Sequence, residues 1–399
     1  MTLSNGRPYL AIPGPSVVPD QVLQAMHRPS PDIYEGALFD LTHSLVPDLR
    51  SVARTQGDVA MYISNGHGVW EAALSNVVTA KERVLCVATG RFGTTWAKMA
   101  QGLGIDVEML DFGMHTPLDM DRLGQALADD RAQTFKAVLI SHVDTSTSYL
   151  NDVAAVRAEL DRLGHPALLM VDCIASLACD RFEMDDWGVD VMVAASQKGL
   201  MMPPGLGFVF FNARAAAVRA VMDRVSCYWD WDPRSRPELY FNYFNGTAPT
   251  HHLFGLRMAL DMLMAEGLEQ VWTRHETLAQ TIWAACEAWS VGGDLRLNVK
   301  DPVRRSRSVT AASLAAPDAK RLRAWLTDRA GVTLGIGLGM APPGDPAGDG
   351  YFRFGHMGHF NAHMVLGMLS SVQAGMSALG IAHGSGGLDV ATAVVAKRA

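Results

Sequence analysis

Lys198 stands in Ala194-Ala195-Ser196-Gln197-Lys198-Gly199-Leu200, between apolar runs at 189–193 and 207–211. Both runs read as buried strands, so the lysine falls in a strand-to-strand connection flanked by small residues. An ammonium held against an apolar wall loses hydration, its pKa falls, and the free amine becomes a nucleophile able to form an imine with an aldehyde. The bland alternative is a loop lysine on the surface. Asp172 closes the run Ala167-Leu168-Leu169-Met170-Val171. A carboxylate at the end of such a strand needs a partner; a protonated ring nitrogen would serve, and so would the N–H groups of a helix start. Asn65-Gly66-His67-Gly68 follows another strand and opens a helix, where backbone N–H groups and the helix dipole favour an anion such as a phosphate. Its glycine spacing matches neither nucleotide-binding fingerprint.

Three further groups lie in similar positions. In Gly90-Arg91-Phe92-Gly93 the aromatic side chain can lie against a planar ring or simply fill core. In His142-Val143-Asp144-Thr145-Ser146-Thr147 the hydroxyls can donate to a ring oxygen or serve the turn. In Tyr351-Phe352-Arg353-Phe354-Gly355-His356-Met357-Gly358 the guanidinium suits bidentate binding of a carboxylate, or a strand-face ion pair. His356, His359 and His363 lack an HExxH pattern and an accompanying carboxylate, so no metal site is expected there.

The elements that must carry these residues alternate. Apolar strands at 59–63, 84–88, 107–110, 137–140 and 167–171 are separated by helices near 67–79, 93–103, 119–128 and 151–164. Such alternation predicts an α/β fold with a mainly parallel sheet covered by helices on both faces. In these sheets ligands collect beyond the carboxyl ends of the strands, where every motif above falls. Residues 1–18 read as an irregular N-terminal arm, because Ile12-Pro13-Gly14-Pro15 cannot lie inside a helix. Helices are expected at 19–27, 35–54 and 212–226, a loop at 234–250, and two long helices after it, the second at 269–290. The large domain would thus span 19–290, bridging helices included, and a smaller C-terminal α+β domain 291–399. The smaller domain has strands near 294–299, 308–314, 331–334 and 351–354 and helices near 317–329 and 360–379.

The 399 residues are too many for one ordinary core, and 49% are hydrophobic against 19% charged, which argues for folded domains. The net charge of −7 is spread without basic runs, which argues against nucleic-acid binding. Five cysteines without CxxC spacing suit reduced thiols, and no apolar run approaches a membrane span. With no signal peptide evident, a cytoplasmic location is expected.

Ser196-Gln197-Lys198-Gly199 with Pro203-Pro204-Gly205 is the most specific stretch. With the other motifs, from Pro13-Gly14-Pro15 to the Arg353 region, it resembles the class V aminotransferases, nearest to the serine–glyoxylate and alanine–glyoxylate enzymes. That resemblance implies a pyridoxal 5'-phosphate enzyme of fold type I, in which Lys198 carries the cofactor as an internal aldimine. It implies further that Asp172 pairs with the pyridine nitrogen, Thr145 reaches the ring hydroxyl, Phe92 stacks on the ring and Ile174 covers its other face. Asn65, Gly66, His67 and Gln197 would hold the phosphate, and Arg353 the substrate's α-carboxylate. Thr247 matches a position that reaches the partner subunit's phosphate, so a homodimer with shared sites is implied, and Tyr34 is a candidate for the substrate pocket. The implied reaction moves an amino group from a small amino acid, such as serine or alanine, to glyoxylate or pyruvate by a ping-pong route. A cofactor-dependent lyase, or a pyridoxamine–pyruvate type aminotransferase, is the alternative on the same fold.

Overall fold

The computed structural model describes residues 2–398. Its strands are β1 (Tyr9–Ala11), β2 (Asp58–Ser64), β3 (Arg83–Ala88), β4 (Asp106–Asp111), β5 (Phe135–Ser141), β6 (Leu168–Asp172), β7 (Val191–Ala195), β8 (Gly205–Phe211), β9 (Arg296–Leu297), β10 (Val309–Ser313), β11 (Val332–Ile336) and β12 (Tyr351–Gly355). The helices that matter below are α1 (Asp20–Met26), α2 (Ala37–Ala53), α3 (Gly66–Val77), α4 (Arg91–Gly102), α5 (Met120–Asp129), α6 (Val153–Arg162), α7 (Ala213–Ala220), α8 (Asp232–Ser235), α9 (Thr250–Glu266) and α10 (Leu268–Ser290).

A seven-stranded sheet has the order β2-β8-β7-β6-β5-β3-β4. Its β4-β3-β5-β6-β7 portion is parallel, and β8 runs antiparallel to both of its neighbours. Successive strand residues face opposite sides of a sheet, so one strand feeds two cores. Val138 and Ile140 of β5 join the cluster beneath α2 and α9, while Ala137 and Leu139 join the one containing Val69, Trp70 and Trp96 of α3 and α4. A five-stranded sheet, β1-β11-β12-β10-β9, packs around a third core with Phe352, Phe354 and Trp289.

Four expectations change. The arm is not wholly irregular, because Tyr9–Ala11 pairs in parallel with Val332–Leu334 of the small sheet. The helix expected over 212–226 stops at Ala220, since Ala215 is its one buried residue and nothing holds a longer helix to the core. The 234–250 stretch begins inside α8 and holds a 3-10 turn at Tyr240–Tyr243, pinned by Arg234. That arginine is fully buried and donates to the carbonyls of Tyr228, Met61 and Tyr243. The strand expected near 294–299 is reduced to Arg296–Leu297.

Candidate functional site

Five strand endings of the large sheet, those of β2, β3, β5, β6 and β7, converge on one cavity of about 260 Å³. Asn65, Gly66, His67 and Trp70 reach it from the end of β2 and the start of α3, Phe92 from the start of α4, and Thr145 from the loop after β5. Asp172 and Ile174 come from the end of β6, and Gln197 and Lys198 from the turn between β7 and β8. Gly14 and Pro15 close it from the arm. The carboxyl-end rule for open α/β sheets thus gathers residues more than a hundred positions apart.

The turn that presents Lys198 is held from several directions. Ser196 Oγ donates to the Pro203 carbonyl at 2.7 Å, and Met201 N returns to the Lys198 carbonyl at 3.0 Å. From the arm, Ser16 N donates to the Gln197 carbonyl at 2.9 Å and Ser16 Oγ to the Lys198 carbonyl at 2.8 Å. Lys198 Nζ itself donates to the Pro13 carbonyl. Gly14 has φ +94°, a conformation that favours glycine, and a Cβ there would push the Lys198 side chain aside. Burial pushes the Lys198 amine down to about 8, helped by the Arg353 guanidinium and opposed by Asp172 and Cys179.

Asp172 is buried, with one oxygen accepting from Ile174 N at 2.8 Å and the other only loosely approached by Ser141 Oγ at 3.5 Å. Burial raises its carboxyl to about 7, against the Ile174 N–H, and the neighbouring Asp144 charge raises it further. Lys198 works in the opposite direction, as does the Trp70 indole, although Trp70 Nε1 lies outside hydrogen-bond geometry to any acceptor. A proton-bearing cation placed beside Asp172 would relieve this burial cost.

Asn65 caps α3. Its Oδ1 accepts from His67 N at 3.1 Å and Gly68 N at 3.3 Å, so two of the N–H groups expected to face an anion are already engaged. Burial, then Arg91, pushes the His67 imidazole below its ordinary range. Gln197 has a buried side-chain oxygen with no partner in the cavity wall. Whichever way that amide is turned, one polar atom faces the cavity unsatisfied. Arg353 is fixed by donation from Nε to the Ile336 carbonyl at 2.7 Å and from Nη1 to the Thr145 carbonyl at 2.8 Å. Burial lowers it to about 10, and Asp144 opposes that.

These residues fit a flat aldehyde-bearing ring with a basic nitrogen and an anionic tail. An amine able to lose its proton, a buried carboxylate short of partners and an orphaned amide share one cavity, with Phe92 and Ile174 in its walls. Two candidates stand elsewhere: Thr247 is exposed in the loop before α9, and the Tyr34 side chain is 83% exposed, so neither belongs to the cavity of its own chain. Arg353 is not in the lining, but its guanidinium lowers the Lys198 amine and holds the Thr145 backbone. His356 is engaged structurally, sharing hydrogen bonds with Thr310 Oγ1 at 2.8 Å and the Arg307 carbonyl at 2.9 Å. Trp70, the Pro13 carbonyl and Asp144 were not singled out from sequence. Trp70 reads as core, and nothing local links Pro13 to a lysine 185 residues away.

A family model described as "Aminotransferase class-V" matches residues 57–345. The serine–glyoxylate aminotransferase of Methylorubrum extorquens is 36% identical over 379 residues, covering 92% of this chain and 90% of that one. The L-aspartate–glyoxylate aminotransferase of Paracoccus denitrificans is 33% identical, covering 93% and 91%. Among solved structures, pyridoxamine–pyruvate aminotransferase of Mesorhizobium loti superposes with a TM-score of 0.88 over the whole of both chains at 24% identity, a likeness of fold.

Proposed function

We propose, starting from the premise that this chain belongs to the class V aminotransferase family and is a pyridoxal-phosphate-dependent transaminase of small amino acids and 2-oxo acids, that Lys198 is its cofactor-bearing and proton-transferring residue. The observation that carries this reading is the sharing of one cavity by Lys198 and Asp172 at neighbouring strand ends.

When bound, the cofactor supplies an electron sink for the bonds at the substrate's α-carbon. Asp172 would hold a proton on the ring nitrogen, because a carboxylate in this burial is costly until a cation pairs with it. Lys198 Nζ would hold the aldehyde group of the cofactor and, as a free amine, would take the proton from the substrate's α-carbon and return it on the product side. Its lowered pKa leaves the amine able to accept that proton near neutral pH. Phe92 and Ile174 would hold the ring between them. Gly66, His67 and Gln197 would receive the phosphate, with Asn65 setting the start of α3. Thr145 would serve the ring hydroxyl.

Arg353 grips the α-carboxylate and so orients the substrate bond to be broken. Two backbone carbonyls fix its Nε and Nη1, while Nη2 has no hydrogen-bond partner among the described residues. Arg353→Ala should raise KM for the 2-oxo acid roughly 10- to 100-fold, the worth of one charge-assisted contact. Initial rates at varied acceptor concentration measure it; an unchanged KM would place the carboxylate elsewhere.

The donor is read as serine or alanine and the acceptor as glyoxylate or pyruvate, supported by identity to the glyoxylate-dependent relatives. An activity matrix of serine, alanine, aspartate and glycine against glyoxylate, pyruvate and oxaloacetate tests this. Cleavage of a donor without any acceptor would point to a lyase instead. Exposed Thr247 supports the reading that a second chain completes each site. Sedimentation should give twice the chain mass, and Thr247→Val should weaken cofactor binding several-fold, about the worth of one hydrogen bond. A fully active monomer would contradict the shared site. Among the described residues no helix is long and apolar enough to cross a membrane.

A further inference from the structure

Asp144 is fully buried, and its two oxygens serve two different pieces of chain. Oδ2 accepts from Phe92 N at 2.8 Å and from Gly93 N at 3.2 Å, at the start of α4. Oδ1 accepts from Ser146 N at 2.9 Å and Ser146 Oγ at 2.5 Å, in the loop after β5. The Ser146 hydroxyl then accepts from Arg91 N at 3.0 Å, so three successive N–H groups of the α4 start are tied to that loop. A carboxylate suits this place twice over: it has acceptors on both sides, and its charge meets the positive end of a helix. Gly90 makes room for it. The Gly90 backbone is extended, but a Cβ there would lie 2.5 Å from Asp144 Cγ, so the need for glycine is steric.

We propose that Asp144 is a positioning residue for the cofactor ring, its single carboxylate holding the backbone that carries Phe92 in register with the backbone that carries Thr145. This rests on the reading that the cavity holds pyridoxal phosphate. The clamp reaches further, because the Thr145 carbonyl accepts from Arg353 Nη1. One buried group therefore sets the stacking residue, the hydroxyl at the ring edge and the guanidinium that meets substrate. It also places a second acidic group near Asp172, raising it where Lys198 lowers it, and it supports the charge on Arg353; burial raises the Asp144 carboxyl itself, against the Ser146, Phe92 and Gly93 donors. The strand end itself does not depend on the clamp, since Thr147 Oγ1 donates independently to the Thr89 carbonyl at 2.8 Å.

Asp144→Asn keeps the shape but has one acceptor and one donor, so either the α4 side or the loop side must break. Gly90→Ala keeps the charge and displaces the clamp. Both variants should bind pyridoxal phosphate at least 10-fold more weakly than the parent by absorbance titration, with unchanged far-UV circular dichroism. In cofactor-free protein the amides of residues 91–93 should exchange faster in both. The infrared titration of Asp172 should shift to lower pH in Asp144→Asn alone, because only that variant removes a charge. Ser146→Ala, the mildest change, should weaken binding about 3-fold. Cofactor affinity within 2-fold of the parent in these variants, with or without a loss of thermal stability, would overturn the clamp and leave Asp144 as packing only. A parent that fails to bind pyridoxal phosphate would instead overturn the reading of the cavity.

Discussion

Lys198→Ala should lower the transamination rate by at least about four orders of magnitude, the upper end of what a positioned acid–base group contributes, because it removes two functions together. On the proposed assignment the side chain would be both the amine that holds the cofactor aldehyde and the base that moves the substrate's α-proton. Among the described residues no other lysine lines the cavity, and the Arg353 guanidinium remains protonated near neutral pH, so neither function has a substitute. The loss should fall on kcat, since proton transfer happens only in the rate-determining chemistry. Added methylamine should restore part of it by entering the space that the side chain leaves. Fold should be little affected: the turn is held by Ser196, Ser16 and backbone contacts that do not use Nζ. Single-turnover kinetics checks the prediction, and normal turnover in this variant would mean that another residue bears the cofactor.

Asp172→Asn should cost about 100- to 1,000-fold in kcat, the usual effect of deleting one preorganised charge at the reacting centre. It should also alter the pH dependence of stability in the cofactor-free protein. The folded-state value of about 7 lies above the ordinary 3.8, so between these values the folded chain binds more protons than the unfolded one. Stability supplied by this group is therefore present below pH 4 and lost as pH rises to 7. The shift corresponds to on the order of 4 kcal/mol. The asparagine variant cannot ionise, so its stability relative to the parent should improve across that window, while its activity collapses. Denaturant melts of both proteins at pH 4.5 and 8 measure the difference. A parent-minus-variant difference that stays flat would mean that Asp172 is not strained by burial.

How much of this was legible beforehand follows from where each signal resides. Lys198 and Asp172 were visible because Asp172 ends one apolar strand and Lys198 lies in the turn past another, and the end of a parallel strand is a place with functional meaning. The strand–helix alternation was equally plain, and the strands of the large sheet lie within about two residues of expectation. The three-residue strand β1 left no periodicity to read, and its partner lies more than 300 residues away. The premature end of α7 reflects missing tertiary support rather than a stop signal in the chain. The Asp144 clamp was hidden for a related reason. Turn loops commonly contain Asp, Ser and Thr, and only the fold shows that this Asp serves N–H groups some 50 residues away.

The most direct test is to incubate the protein with pyridoxal phosphate, reduce with borohydride, digest, and locate the added mass by mass spectrometry. The account predicts one pyridoxyl group per chain, on Lys198 alone. A label on any other lysine, or none in a protein that still transaminates, would contradict it.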